Sequence, residues 1–101
     1  MYNLVKNIGL SESLLQEIIA YAQKNNIEKV VLFGSRARGD FKYNSDIDLA
    51  IWGGNGASFA LDVNEEAYTL LKFDVVDYRY SVQQELSDSI QQEGIVLYEK
   101  I

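Results

Sequence analysis

The feature that most constrains the fold is a pair of apolar runs, one ending in Gly-Ser and the other opening with Asp-x-Asp. The stretch VVLFGSRARGDFKYNSDIDLAIW extends from Val30 to Trp52, with ten residues between Ser35 and Asp46. Both runs predict strands, and side chains alternate between the two faces of a strand, so Asp46 and Asp48 are expected on one face. Two neighbouring carboxylates repel each other, and an ordinary strand gains nothing from them. A divalent cation would turn this repulsion into attraction.

The chemistry of the two halves indicates a nucleoside triphosphate. Carboxylate oxygens suit Mg²⁺, which commonly takes one or two carboxylates together with substrate phosphates. Gly34 allows a tight turn and a close approach to a ligand, while Ser35 offers a hydroxyl and an N–H group. The amides that follow open a short helical turn, which is suited to binding an anion.

This combined motif resembles that of the minimal nucleotidyltransferase (MNT) family, within the DNA polymerase β-like superfamily. The resemblance rests on LFGSRARGD and SDIDLAI, and continues through FDVVDY at Phe73–Tyr78 and EGIVLYEK at Glu93–Lys100. It therefore covers most of the chain from about Val30 onward. It implies a polymerase β-like nucleotidyltransferase fold and transfer of a nucleoside monophosphate, most often AMP from ATP, with two Mg²⁺ ions.

The resemblance also implies roles for individual residues. Asp46 and Asp48 would hold both metal ions, and Gly34 and Ser35 would hold the β- and γ-phosphates. A two-metal site needs further anionic ligands. Strand parity places the two acidic residues of FDVVDY on opposite faces without choosing between them. The family's third aspartate matches Asp74, which would complete the catalytic metal site and accept the proton of the attacking hydroxyl.

Two arginines flank the phosphate turn, and either guanidinium could clamp a triphosphate. Arg36 is the preferred phosphate contact, and Arg38 is the second choice. The alternative is that one or both are solvated or pair with Asp40 or Asp46.

Composition restricts the remaining possibilities. The chain has 101 residues, 48% of them hydrophobic, which predicts a single globular domain over residues 1–101. Cysteine and histidine are both absent, which excludes thiolate and histidine metal sites and leaves carboxylates as general bases. The net charge of −6 disfavours direct nucleic-acid binding and favours a basic protein partner. No membrane-length apolar run occurs, so we expect a cytoplasmic protein.

The hydrophobic pattern predicts a mixed α/β (α+β) fold, with a sheet of about four strands and helices packed on one face. Core candidates of the helix predicted at 58–71 are Leu61, Ala67, Leu70 and Leu71. Trp52 and Tyr78 are expected to pack in the core rather than against a base. The predicted strands are 29–33, 46–52, 73–78 and 95–99, and the predicted helices are 11–25, 58–71 and 81–92.

The chain has no separate acceptor-binding domain, so its partner must be inferred from the resemblance. Stand-alone MNT proteins typically sit beside a helical HEPN protein as the antitoxin of a toxin–antitoxin pair. In that setting the MNT protein adenylylates a tyrosine of the HEPN toxin, and homo- or hetero-oligomers are possible. Two alternatives remain open: a non-catalytic antitoxin that acts by binding alone, and an enzyme acting on a small molecule, as aminoglycoside nucleotidyltransferases do.

Overall fold

The computed structural model describes residues 8–101, which form a four-stranded mixed sheet with helices. The strand order is β3-β2-β1-β4; β1 pairs antiparallel with β2 and β4, and β2 pairs parallel with β3. The elements in chain order are α1 (Glu12–Lys24), β1 (Lys29–Phe33), α2 (Ser35–Arg38), β2 (Ile47–Trp52), α3 (Gly56–Glu65), β3 (Phe73–Asp77), α4 (Gln84–Glu93) and β4 (Ile95–Glu99).

The larger part of the core lies between one face of the sheet and helices α1 and α3. Leu14, Leu15, Ile18 and Ala22 line the buried side of α1, while Phe59 and Val63 line that of α3. Ser11 caps α1, and its side chain accepts a hydrogen bond from the Leu14 amide at 3.1 Å. The helix predicted at 11–25 is therefore confirmed, with α1 and its two caps spanning that range.

A smaller cluster covers part of the opposite face. Ile90 and Leu86 of α4 pack there with Val31, Phe33 and Ala50 of the sheet. The α+β fold and its four-stranded sheet are confirmed, but the helices do not all pack on one face. Helix α4 covers part of the second face, and the cluster that it forms there does not include Asp48 or Asp74.

The predicted helix at 58–71 begins earlier and ends sooner than expected. Asn55 caps α3, and its side-chain oxygen accepts a hydrogen bond from the Ser58 amide at 3.1 Å. Leu61 and Leu70 are exposed, so their assignment to the core was wrong. The buried stripe begins at Gly56 and continues through Phe59 and Val63, which turns Leu61 to the outside, and Leu70 lies beyond the end of the helix.

None of the helices among residues 8–101 combines the length and the apolar character needed to cross a membrane.

Candidate active site

Asp48 of the Asp-x-Asp motif and Asp74 of β3 lie on the same face of the sheet. Asp48 of β2 is the register partner of Asp74 in the parallel β3 strand. Asp46 immediately precedes β2, two residues before Asp48, so strand alternation assigns it to the same face. The three residues therefore lie at or just before the beginnings of two adjacent parallel strands. Spacing predicted the shared face of Asp46 and Asp48, whereas Asp74 was expected from the family resemblance.

Asp77 occupies the other face of β3 and has a different environment. Its carboxylate lies against Gly56 at the beginning of α3, and its Oδ1 atom accepts a hydrogen bond from the Arg79 amide at 2.9 Å. Sequence parity alone could not choose between Asp74 and Asp77. The register does distinguish them, because only Asp74 pairs with Asp48.

The Gly-Ser turn lies directly beside the central carboxylate. Gly34 has φ +76° and precedes the one-turn helix α2. A side chain at Gly34 would collide with Oδ2 of Asp48, and its Cβ would lie 3.1 Å from Cγ of Asp48. Glycine is thus required both by backbone conformation and by space. The first amides of a helix have no intrahelical partner, so the turn brings N–H groups close to the carboxylates.

Asp48 is the partly buried member of this acidic group, whereas Asp46 and Asp74 are exposed. Burial raises the pKa of Asp48 above its ordinary value, and the nearby Asp74 and Asp46 carboxylates raise it further. Arg38 and Arg36 oppose this rise only in part. Protonation or a cation would relieve the repulsion among these carboxylates.

The donor set consists only of oxygen, which fits a hard divalent cation such as Mg²⁺. Across residues 8–101, no three acidic side chains already form a ready-made metal cluster. Asp46 and Asp74 are exposed, whereas Asp48 between them is partly buried. The fit therefore rests on shared face, register and charge.

Arg36 does not face solvent as a phosphate clamp would. It is 2% exposed, and its guanidinium donates to the Ser45 carbonyl at 2.9 and 3.2 Å and to the Ile8 carbonyl at 3.0 Å. Longer bonds reach the carbonyls of Gly9 and Tyr43, at 3.3 and 3.4 Å. The expected phosphate contact is therefore corrected: the side chain fixes the segment that leads to Asp46.

Arg38 is the more accessible of the two arginines. It forms ion pairs of 3.2 Å with Asp40 and with Glu93 at the end of α4. The pairing with Asp40 was one of the alternatives foreseen from the sequence, but the link to Glu93 was not. No sequence signal indicated it, because the two residues are 55 positions apart.

The aromatic pair beyond the carboxylates on the same face packs as expected. The rings of Trp52 and Tyr78 stack on each other with centroids 4.2 Å apart and an interplanar angle of 13°. Both lie against the cluster that α4 covers. The ring faces that stack on each other are therefore not available for stacking on a nucleotide base.

One feature beside the site was missed from the sequence. Tyr43, Leu70 and Lys72 line a cavity of about 590 Å³ together with Asp46. These residues belong to the segments before β2 and before β3, where no periodic pattern marks them. The one available signal was Leu70, a large apolar residue that lies just beyond the end of α3.

Comparison with known proteins agrees with this geometry. The domain family described as "Polymerase beta, Nucleotidyltransferase" matches residues 16–101. A protein of Methanocaldococcus jannaschii named "Putative protein adenylyltransferase" is 34% identical over 84 residues, which is 74% of this chain and 82% of that protein.

Solved structures share the fold. A toxin–antitoxin structure with AMP-PNP has a TM-score of 0.69 at 24% identity, over 85% of this chain and 73% of that one. A mutant toxin–antitoxin MntA-HpeT structure has a TM-score of 0.67 at 22% identity, with the same coverage. With a family match that extends over most of its length, the chain is a nucleotidyltransferase of the polymerase beta family.

Proposed function

We propose that this nucleotidyltransferase transfers AMP from ATP to a hydroxyl of a partner protein. The observation that carries the proposal is the register pairing of Asp48 with Asp74, beside a Gly34 turn that has no room for a side chain. The relative named as a protein adenylyltransferase supports both the nucleotide and the class of acceptor. The fold shared with a structure containing AMP-PNP supports ATP as the donor.

The reaction would be an in-line displacement at the α-phosphorus. The acceptor oxygen forms a bond to that phosphorus while the bond to the bridging oxygen breaks, and pyrophosphate leaves. Asp74 accepts the proton of the acceptor hydroxyl at its carboxylate. Gly34 and Ser35 hold the β- and γ-phosphates through the turn. The chain therefore acts mainly by positioning the triphosphate and by placing charged groups beside it.

Asp46 and Asp48 would hold two Mg²⁺ ions, and Asp74 would complete the catalytic one. When bound, the ions neutralise charge on the phosphates and lower the pKa of the attacking hydroxyl. The residues fit this role because Asp48 pairs with Asp74 in the sheet, Asp46 lies two residues before Asp48, and the Asp74 and Asp46 carboxylates both raise the pKa of Asp48. Binding of the cation would thus remove an existing repulsion.

The acceptor we propose is a tyrosine of a HEPN-type toxin, which places the chain as the antitoxin. The toxin–antitoxin structures that share the fold support this assignment. The net charge of −6 supports a basic protein partner rather than nucleic acid. Because ATP is the donor, we place the reaction in the cytoplasm.

The test of the site is nucleotide binding by calorimetry with and without Mg²⁺. Asp46→Asn and Asp48→Asn should each weaken Mg²⁺-dependent ATP binding, and AMP transfer should fall by at least about 100-fold. Asp77→Asn is the matched control, since Asp77 lies on the opposite face of the sheet. Equal, metal-independent ATP binding in wild type and in both motif variants would contradict the proposed site.

A further inference from the structure

Three large side chains beside the site project almost completely into solvent. Tyr43 is 90% exposed, Tyr68 is 93% exposed and Leu70 is 102% exposed. Tyr43 and Leu70 line the cavity that contains Asp46, while Leu70 and Tyr68 line a neighbouring cavity of about 550 Å³. Leu70 thus lines both cavities, and the three side chains are called the outer patch below.

The backbone under the outer patch is fixed although its side chains are free. The Tyr68 amide donates to the Glu17 carboxylate of α1 at 3.1 and 3.3 Å. The Phe73 amide donates to the Asn64 side chain at 3.0 Å, which closes the segment between α3 and β3. Arg36 anchors the other side through the carbonyls of Tyr43 and Ser45. The backbone positions that carry the exposed side chains are therefore held in a defined arrangement.

We propose that the outer patch is the docking surface for the acceptor protein, which presents its hydroxyl toward Asp74. This inference rests on the proposed function, because it names the surface that brings the acceptor to that site. Tyrosine is enriched among the residues that dominate protein–protein binding, since it buries a large area with few rotatable bonds. Asp74 lies only two residues beyond Lys72, which lines the first cavity.

Charge defines the chemistry of the occupant. Glu65 and Glu66 line the outer cavity and Asp46 lines the inner one, against one lysine, Lys72. A partner with an apolar centre and a basic rim complements this surface. A second copy of this chain would bring acidic residues against acidic residues.

The experiment compares transfer kinetics of Tyr68→Ala/Leu70→Ala with those of Tyr80→Ala, using the HEPN-type proteins of the source organism as acceptors. Tyr80 is the matched control because it is 68% exposed but lines a different cavity, between α3, β3 and α4. The double variant should raise KM for the acceptor about 10- to 100-fold. The ATP affinity of the double variant in Mg²⁺ should stay within about twofold of wild type. Tyr80→Ala should match wild type in both the KM for the acceptor and the ATP affinity.

The remaining outcomes each overturn the proposal in a recognisable way. An unchanged KM for the acceptor in the double variant would show that the outer patch is not the docking surface, without contradicting the transferase activity. A parallel loss of ATP affinity would assign the cavity to the nucleotide. A change in the sedimentation of the isolated chain would assign the patch to contacts between copies. Absence of transfer by wild type to every acceptor would overturn the proposed function and the docking surface together.

Discussion

At the scale of single residues, Gly34 is needed for two reasons: its φ is positive, and the Asp48 carboxylate occupies the space that a side chain would fill. Gly34→Ala introduces a Cβ that collides with the Asp48 carboxylate and forces a positive φ on a residue with a side chain. We expect an unfolding free energy lower by roughly 1–2 kcal/mol and AMP transfer reduced at least about 100-fold. Denaturant titration and a transfer assay measure the two effects.

Gly39 provides the control that separates strain from collision. It has φ +91°, but a Cβ there would meet open space. Gly39→Ala should therefore lose less stability than Gly34→Ala while keeping transfer activity. Equal transfer by wild type and a folded Gly34→Ala protein would show that the space beside Asp48 is not needed for transfer.

Asp48 should make stability depend on pH in an unusual direction. Its pKa is raised in the folded chain, so the folded state holds the proton more tightly than the unfolded state. Its contribution to stability is present below the ordinary carboxyl pKa and is lost as pH rises through the raised value. In EDTA, Asp48→Asn should therefore have a higher Tm than wild type at pH 7, and this gain should vanish in acid.

Adding Mg²⁺ and ATP should reverse that ranking at pH 7, because only wild type keeps the full carboxylate set. Calorimetric melting curves at several pH values measure the effect. A Tm gain that grew toward acid pH, or one that Mg²⁺ with ATP left unchanged, would contradict the role of repulsion at this site.

At the scale of secondary-structure elements, Arg36 connects α2 with the segments on either side of it. Arg36→Met removes its bonds to carbonyls near Ile8 and Ser45 and leaves buried acceptors without donors. We expect a loss of roughly 2–4 kcal/mol in unfolding free energy. Arg38→Met, which breaks two surface ion pairs, should cost only about 0–1 kcal/mol.

Equilibrium unfolding of the two variants gives the comparison. Similar stabilities would mean that the carbonyl contacts of Arg36 do not hold the Asp46 segment. Arg38→Met also tests the remaining phosphate candidate, because a raised KM for ATP with unchanged stability would show that this arginine reaches the triphosphate.

The elements differ in how far the sequence could define them. Strands β1 and β4 match their predicted bounds, since compact apolar runs and a preceding break define them. Helix α3 does not, because Leu70 and Leu71 continue an apolar pattern after the helix ends at Glu65. The chain turns there through tertiary contacts, such as the Asn64 side chain binding the Phe73 amide, that local pattern does not contain.

The same distinction applies to the site. The spacing of Asp46 and Asp48 fixes their shared face, and this follows from strand geometry alone. The role of Arg36 depends on carbonyls up to 28 residues away, so it could not be read from its neighbours in sequence. Helix α4 on the second face was missed because amphipathic pattern shows which side of a helix is buried but not which face of the sheet receives it.

At the scale of the whole molecule, the account depends on chemistry at one end of a small acidic sheet. Asp74 is the member whose proposed role is to accept the proton, so its removal separates catalysis from binding. Asp74→Asn should keep the fold and partner binding but lose transfer. Asp77→Asn, on the same strand and the opposite face, should behave as wild type.

The most direct measurement is the intact mass of a HEPN-type partner after incubation with ATP, Mg²⁺ and each form of this chain. Wild type and Asp77→Asn should add one or more AMP units to the partner, and Asp74→Asn should add none. A partner whose mass never changes, while Asp74→Asn still neutralises it as well as wild type does, would contradict adenylyl transfer and establish neutralisation by binding alone.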